Sequence, residues 1–126
     1  FIWWFRNKRE IFFYKINKND RIYFYQEIIK YKNNKYLIGG WDSNSKKINL
    51  IDVLYFLKWQ LRKNKKEKLK YDWVAVVKKN NIWILKLVNF LGYQKVTKNE
   101  IYYEVIKNHF KVNVKNYFYL KLMIKN

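Results

Sequence analysis

The 126-residue chain contains no cysteine and no proline, and glycine occurs only three times. The absence of cysteine excludes a disulfide framework, a thiolate zinc site and a thiol nucleophile. Acidic residues are also scarce, since 9 Asp and Glu stand against 28 Lys and Arg and leave a formal net charge of +19. A domain with this excess repels itself unless a polyanion neutralises it. Nucleic acid is therefore the leading class of partner, and an anionic membrane surface is the second.

Long uncharged apolar runs are lacking as well. Asp52, Lys58 and Lys86 interrupt the most hydrophobic stretches before they reach the roughly 18 residues that a membrane-spanning helix needs. Half of the residues are nevertheless hydrophobic and 21% are aromatic, which is enough apolar surface for one folded domain of this length. We therefore expect a folded protein without a membrane span.

The residue usage indicates an AT-rich genome, because Ile, Lys, Asn, Tyr and Phe dominate and are encoded by AT-rich codons. Such a bias is typical of an organelle genome or of a reduced bacterium. The first residues, FIWWFRNKREIFFYKI, lack the Ser- and Arg-rich amphipathic character of a transit peptide. We therefore expect synthesis inside the mitochondrion and a place in the mitochondrial matrix, with the cytoplasm of an AT-rich bacterium as the alternative.

Residues 1–47 are expected to form a β-rich N-terminal extension. Aromatic and β-branched runs at 10–16 and 21–25 flank the polar tetrapeptide NKND, which is typical of a β-hairpin. The polar segment DSNSKK then predicts a loop and a boundary near residues 42–47. Residues 48–126 are expected to form an α+β domain.

The first half of that domain carries a strong helix signal. Asn49 and Asp52 have the spacing of a helix-capping pair. The leucines that follow at helical intervals predict a helix over about 49–62 that buries them. These leucines are Leu50, Leu54, Leu57 and Leu61.

The remaining pattern predicts a strand, a second helix and further strands. An apolar run at 73–77 is typical of a buried strand. The second helix is expected to begin at Asn80 or Asn81 as its N-cap and to end at Gly92 as its C-cap. Strands are then predicted at 93–96, 101–106 and 117–124.

Three local motifs stand in these elements. Asp52, Val53, Leu54 and Lys58 place an acid and an apolar pair before a basic residue one turn later. The segment ILKLVNFLGYQKV leads an apolar helix face into a glycine and an aromatic residue, and YFYLKLMIK alternates apolar residues with lysine. With the element order, these motifs resemble the N-terminal half of small-subunit ribosomal protein eight, the bacterial-type ribosomal RNA-binding family, from about Asn49 onward.

The chain departs from that family at three places. Trp59 stands where the family has Asn, and residues 76–78 lack the usual Pro and Ser. The family's C-terminal half, whose Ser-rich loop grips ribosomal RNA, has no counterpart before Asn126. The resemblance implies a structural constituent of the small ribosomal subunit that supports translation, with ribosomal RNA and neighbouring ribosomal proteins as partners. It also implies that the RNA contacts of that C-terminal half are lost, are encoded elsewhere or are replaced by the basic N-terminal extension.

The RNA-binding surface is predicted from the lysine-rich segments. Duplex RNA presents phosphates and 2′-hydroxyls rather than readable base edges, so a rigid basic face binds it by shape and charge. Cations also offset the dipole at a helix C-terminus, but one or two are enough for that purpose. The residues expected to bind RNA are Lys46, Lys47, Lys58, Arg62, Lys63, Lys65, Lys66, Lys68, Lys78 and Lys79.

Base stacking by Trp3, Trp4, Trp59 or Tyr71 is an alternative use of the aromatic residues. Aromatic side chains in strands and amphipathic helices are more often anchors of a core or of a protein interface. We therefore expect these residues to serve the fold, and the FIWW segment to contact a neighbouring protein.

The sequence predicts no active site, no metal site and no cofactor. His109, the only histidine, is expected in a polar loop with Glu100 and Glu104 upstream, and the glycine pair at 39–40 lacks the Lys-Ser/Thr of a phosphate-binding loop. We therefore expect neither an enzyme nor a small-molecule substrate. Two other functions stay open: a ribonucleoprotein component unrelated to the named family, and a basic peripheral membrane or complex-assembly subunit.

Overall fold

The computed structural model describes residues 10–43 and 49–124. Its strands form a six-stranded mixed sheet in the order β1-β2-β3-β4-β6-β5. The predicted α+β class is therefore confirmed. In chain order the elements are β1 (Glu10–Lys15), β2 (Arg21–Tyr31), β3 (Asn34–Ser43), α1 (Leu50–Lys66), β4 (Asp72–Lys78), α2 (Ile82–Leu91), β5 (Gln94–Lys95), α3 (Ile101–Phe110) and β6 (Tyr117–Leu122).

The chain divides into two compact units. The first unit comprises Phe1–Ile28 and Ile38–Lys70, and the second comprises Ile29–Leu37 and Tyr71–Asn126. The long strands β2 and β3 each contribute residues to both units.

The first unit contains the predicted β-hairpin. Strands β1 and β2 pair antiparallel, with Phe12 opposite Phe24. In the connecting turn the side-chain oxygen of Asn17 accepts hydrogen bonds from the N–H groups of Asn19 and Asp20, both at 2.9 Å. This use of an asparagine side chain in place of a backbone acceptor explains why NKND forms a turn.

Helix α1 begins at the predicted cap. The side chain of Asn49 accepts a hydrogen bond from the Asp52 N–H at 3.0 Å, and the Asp52 carboxylate accepts one from the Asn49 N–H at 3.2 Å. This reciprocal pair is a capping box. The helix continues to Lys66, four residues beyond the predicted end.

The buried face of α1 is not the predicted leucine stripe. Leu50 is 38% exposed, and the other three leucines are only half-buried. Phe56 is fully buried, with its ring centroid 4.9 Å from that of Phe24 and 5.6 Å from that of Tyr14. The prediction is wrong because this aromatic cluster turns an adjacent face of the helix toward the sheet. The buried residues of α1 are Val53, Phe56, Gln60 and Asn64.

Two polar side chains on that buried face are satisfied by a glutamine of β2. The Gln26 amide nitrogen donates to Asn64 Oδ1 at 2.8 Å. The Gln26 carbonyl oxygen accepts from Gln60 Nε2 at 3.1 Å and from Asn64 Nδ2 at 3.0 Å. Buried amides are costly unless they are paired, so this network favours one position of α1 along β2.

In the second unit, α2 lies on one face of β6 and α3 on the other. Strand β4 pairs antiparallel with β6 and parallel with β3. Side chains alternate along a strand, so Phe118 and Leu120 line a cavity with α2 while Tyr119 packs against Tyr103 of α3 at 5.2 Å between ring centroids. The short strand β5 pairs with β6 inside the predicted strand 93–96.

Helix α2 has the predicted ends. The Asn81 side chain accepts a hydrogen bond from the Ile84 N–H at 3.4 Å, so Asn81 is the N-cap. Gly92 follows the helix with a φ of 102°, which is the left-handed conformation that favours glycine at a C-terminus.

The prediction of a strand at residues 101–106 is wrong, because these residues begin α3. Their aromatic and β-branched side chains favour a strand, but Val105 and Ile106 are buried on a helix and the Tyr102 hydroxyl donates to Asp72 at 2.6 Å. Tertiary packing therefore outweighs the local preference. His109, expected in a loop, lies in the last turn of the same helix with its ring 5.0 Å from that of Phe110.

The buried amide network predicts the effect of removing one member. Asn64→Ala leaves Gln26 without its acceptor and should lower the free energy of unfolding by about 1 to 3 kcal/mol in urea titrations. Lys65→Ala, at the exposed neighbouring position, is the control and should change it little. Replacing Gln26, Gln60 and Asn64 together with leucine should recover most of the loss. Equal midpoints for the two alanine variants would show that the network does not hold α1.

Candidate nucleic-acid interface

The predicted RNA-binding residues fall into two groups in the structure. Lys78 ends β4 and Lys79 follows it in the second unit, and both are exposed. Lys46 and Lys47 lie outside the described residues. The group at the end of α1 in the first unit consists of Lys58, Arg62, Lys63, Lys65, Lys66 and Lys68.

The end of α1 presents a basic strip. Lys58, Arg62 and Lys66 are exposed and recur at intervals of four residues, which places them on one side of the helix. Each interval corresponds to about 6 Å along the helix axis. Lys65 is exposed next to Lys66. We call Lys58, Arg62, Lys65 and Lys66 the α1 basic strip.

Lys63 differs from these residues, because its ammonium group is held within the first unit. It lies 2.9 Å from the Glu67 carboxylate and 5.1 Å from the centroid of the Phe12 ring. The side chain is 30% exposed. Lys63 is therefore committed to the fold of the first unit.

Three carboxylates of the described residues are engaged in structural contacts. Asp52 caps α1, and Asp72 accepts hydrogen bonds from the Tyr102 hydroxyl and the Ile124 N–H. Glu100 pairs with Lys121, and this hydrogen bond is the main cause of a lowered pKa for the Glu100 carboxyl group. These three acids therefore serve a helix cap and tertiary contacts.

Backbone hydrogen bonds at the end of α1 fix the conformation of Lys68. The Leu69 N–H donates to the Asn64 carbonyl at 2.8 Å, and the Lys68 N–H donates to the Lys65 carbonyl at 3.1 Å. These two bonds form a Schellman motif, which needs a left-handed residue after the helix. Lys68 occupies that position with a φ of 62°, whereas α2 has Gly92 at the equivalent place.

A lysine-lined pocket of about 380 Å³ lies in the second unit. The Lys79 N–H donates to the Asn116 carbonyl at 2.9 Å, which joins the turn after β4 to the turn before β6. The sequence did not indicate Lys115, because it comes beside Lys78 and Lys79 through this contact and through the pairing of β4 with β6, in which Lys78 lies opposite Tyr117. We call this site the lysine pocket; its lining residues are Lys78, Lys79, Asn80, Lys115, Asn116 and Tyr117.

An apolar cavity of about 550 Å³ lies between α2 and β6 in the same unit. Burial raises the pKa of the Tyr93 hydroxyl well above its ordinary value, so this group is neutral at physiological pH. The Phe118 ring, which lines the cavity, has the Lys95 ammonium 4.2 Å and the Lys79 ammonium 5.2 Å from its centroid. The lining residues are Ile82, Leu85, Lys86, Val88, Asn89, Tyr93, Gln94, Lys95, Phe118 and Leu120.

The aromatic residues considered for base stacking have other contacts where they are described. The Trp59 ring is half-buried, with its centroid 5.1 Å from that of Tyr14 and 5.6 Å from that of Phe24. Tyr71 has the Lys35 ammonium 6.0 Å from its ring centroid. Trp59 thus packs against the aromatic cluster of the first unit. Trp3, Trp4 and the rest of FIWW lie outside the described residues.

No cluster of three His, Cys, Asp or Glu side chains suited to a metal ion occurs within residues 10–43 and 49–124. In the same ranges, no helix has the length and apolar character needed to cross a membrane.

The chain matches no protein-family model, no curated protein and no solved structure. The resemblance to small-subunit ribosomal protein eight therefore rests on the motifs of α1, α2 and β6 and stays a prediction.

Because Lys68 has a left-handed backbone conformation, we expect glycine at this position to stabilise the protein. Lys68→Gly removes a side chain from a conformation that disfavours one and should raise the free energy of unfolding by about 1 kcal/mol in urea. Lys68→Ala removes the same charge but keeps Cβ, so it should give no such gain. Lys65→Gly, within the right-handed helix, should lower stability by about 1 kcal/mol. A loss for Lys68→Gly equal to that of Lys65→Gly would contradict the assignment.

Proposed function

We propose that the protein binds structured RNA through the α1 basic strip, as a structural constituent of the small subunit of the mitochondrial ribosome that supports translation. The observation that carries the proposal is a set of four exposed cations, three of them at four-residue intervals, on a helix whose position is held by buried hydrogen bonds.

Rigidity matters for this binding. The capping box fixes the start of α1, the Gln26 network fixes its buried face, and the Schellman motif fixes its end. A basic face that is already in place does not have to be ordered when it binds, which lowers the entropic cost.

The chemistry of the strip suits phosphates. The Arg62 guanidinium can donate two parallel hydrogen bonds to one phosphate, and the three lysines of the strip act as point charges. Because A-form RNA hides its base edges in a deep, narrow groove, we expect recognition of the shape and backbone of a duplex rather than of its sequence.

The ribosomal assignment is supported by the family resemblance. The acid of its first motif, Asp52, caps α1, and the glycine of its second motif, Gly92, ends α2. A ribonucleoprotein unrelated to that family would use the same strip. A peripheral membrane subunit would instead bind anionic vesicles in the absence of RNA.

The salt dependence of RNA binding tests the strip. Arg62→Ser, Lys65→Ser and Lys66→Ser combined should reduce the slope of log affinity against log salt by about 3, because each lost phosphate contact contributes about 0.9. The probe is a blunt RNA duplex, with affinity measured by fluorescence anisotropy.

A matched variant controls for net charge. Lys30→Ser, Lys98→Ser and Lys107→Ser combined remove the same charge from exposed positions outside the strip. The slope should stay near that of the unmodified protein. Equal slopes for the two triple variants would remove the strip from the interface.

Ultraviolet crosslinking in the native source tests the ribosomal assignment. We expect crosslinked RNA to map to the small-subunit ribosomal RNA, with the central domain enriched. Crosslinks confined to other ribosomal RNA regions would discard the family resemblance, and an absence of crosslinks above background would refute the ribosomal role.

A further inference from the structure

We propose that the second unit binds a nucleoside monophosphate group, with the base in the apolar cavity beside α2 and the phosphate in the lysine pocket. The group could come from an unpaired nucleotide of the bound RNA or from a free nucleotide, and the two sources share this chemistry. When the nucleotide belongs to the bound RNA, the inference rests on the proposed function.

The apolar cavity has the composition of a site for a planar ligand. Its volume of about 550 Å³ falls within the ordinary range for small-molecule sites, which is about 300 to 1,000 Å³. Phe118 supplies an aromatic ring, and α2 supplies aliphatic side chains. Asn89, Gln94 and the neutral Tyr93 hydroxyl are polar groups that can hydrogen-bond the edge of a base.

The lysine pocket has the composition of a phosphate site. Lys78 at the end of β4, Lys79 in the turn that follows and Lys115 in the turn before β6 line this pocket. The backbone hydrogen bond from Lys79 to Asn116 holds the two turns together. A second bond, from the Asn116 N–H to Asn113 Oδ1 at 3.1 Å, orders the turn before β6. The described lining contains no carboxylate to compete with an anion.

One contact links the two sites. Lys79 lines the lysine pocket, and its ammonium group lies 5.2 Å from the centroid of the Phe118 ring, which lines the apolar cavity. A ligand that joins an anionic group to a planar group can therefore use both sites through adjacent side chains.

Other ligand classes would use only part of this arrangement. Inorganic phosphate would occupy the lysine pocket and leave the apolar cavity empty. A fatty acid would fill the cavity and pair its carboxylate with Lys86 or Lys95 at the cavity itself, without needing the lysine pocket. A nucleotide matches both parts, and the charge of +19 favours it further over a neutral aromatic compound.

The test compares one RNA hairpin with and without a short single-stranded adenosine tail, using the full chain and fluorescence anisotropy. The tail should increase affinity about tenfold, the order expected when one base stacks on an aromatic ring. The readout is the ratio of the two affinities, so that a general loss of RNA binding does not change it.

Variants locate the gain. Lys79→Ser with Lys115→Ser should bring the ratio close to one, and so should Phe118→Leu, which keeps an apolar side chain but removes the ring. Lys98→Ser with Lys107→Ser removes the same charge from exposed positions outside both cavities and should leave the ratio unchanged. Thermal unfolding verifies that each variant is folded.

Competition with small ligands tests whether a free nucleotide occupies the same site as the RNA tail. Adenosine monophosphate should abolish the gain from the tail, whereas inorganic phosphate at equal ionic strength should not. Direct binding of adenosine monophosphate that is lost in the Lys79 and Lys115 variant would support the site even if the blunt hairpin failed to bind. The inference fails if the tail does not increase affinity and adenosine monophosphate does not bind. It also fails if inorganic phosphate competes as well as adenosine monophosphate, or if the control variant loses the increase in affinity.

Discussion

Electrostatic repulsion among 28 basic side chains, with 9 acidic side chains to offset it, is the constraint on which this structure depends. Carboxylates are used where a fold needs them most, at the cap of α1 and in the contacts of β4 and β6. Aromatic rings contact some of the lysine ammonium groups that carboxylates would pair with in a less basic protein. Lysine ammonium groups lie over the rings of Phe12, Trp83, Tyr102 and Phe118 at 4.2 to 5.3 Å from the centroids. Such contacts hold a cation without cancelling its charge, so the folded protein keeps its attraction for a polyanion.

The core of the first unit combines this aromatic chemistry with one polar network. Phe24, Phe56 and Trp59 supply apolar area, but rings of similar size can pack in several ways. The amides of Gln26, Gln60 and Asn64 are satisfied only when α1 and β2 have one alignment. That alignment also decides which side of α1 faces solvent. The position of the α1 basic strip is therefore a consequence of a buried contact on the other side of the helix.

Features that depend on neighbouring residues could be predicted from the sequence, and features that depend on distant contacts could not. The caps at Asn49 and Asn81 and the end of α2 at Gly92 are local signals, and the structure contains them. The buried face of α1 was mispredicted because the partner rings on β1 and β2 are remote in sequence. Residues 101–106 form a helix because of packing that their β propensity does not reveal. The lysine pocket needs Lys115 beside Lys79, and no pattern within either segment indicates that meeting.

Lysine, rather than glycine, occupies the left-handed positions at Lys32, Lys68 and Lys111. Each such residue costs roughly 1 to 2 kcal/mol of backbone strain, and natural domains have only about 5 to 15 kcal/mol of stability in all. A protein with this much backbone strain should have a small free energy of unfolding when it is alone. Binding of another molecule to the folded state should raise that free energy. Proteases remove chains in proportion to the unfolded fraction. The amount of this protein in a cell should therefore follow the amount of any molecule that binds and stabilises the folded state, with unbound copies degraded before they accumulate.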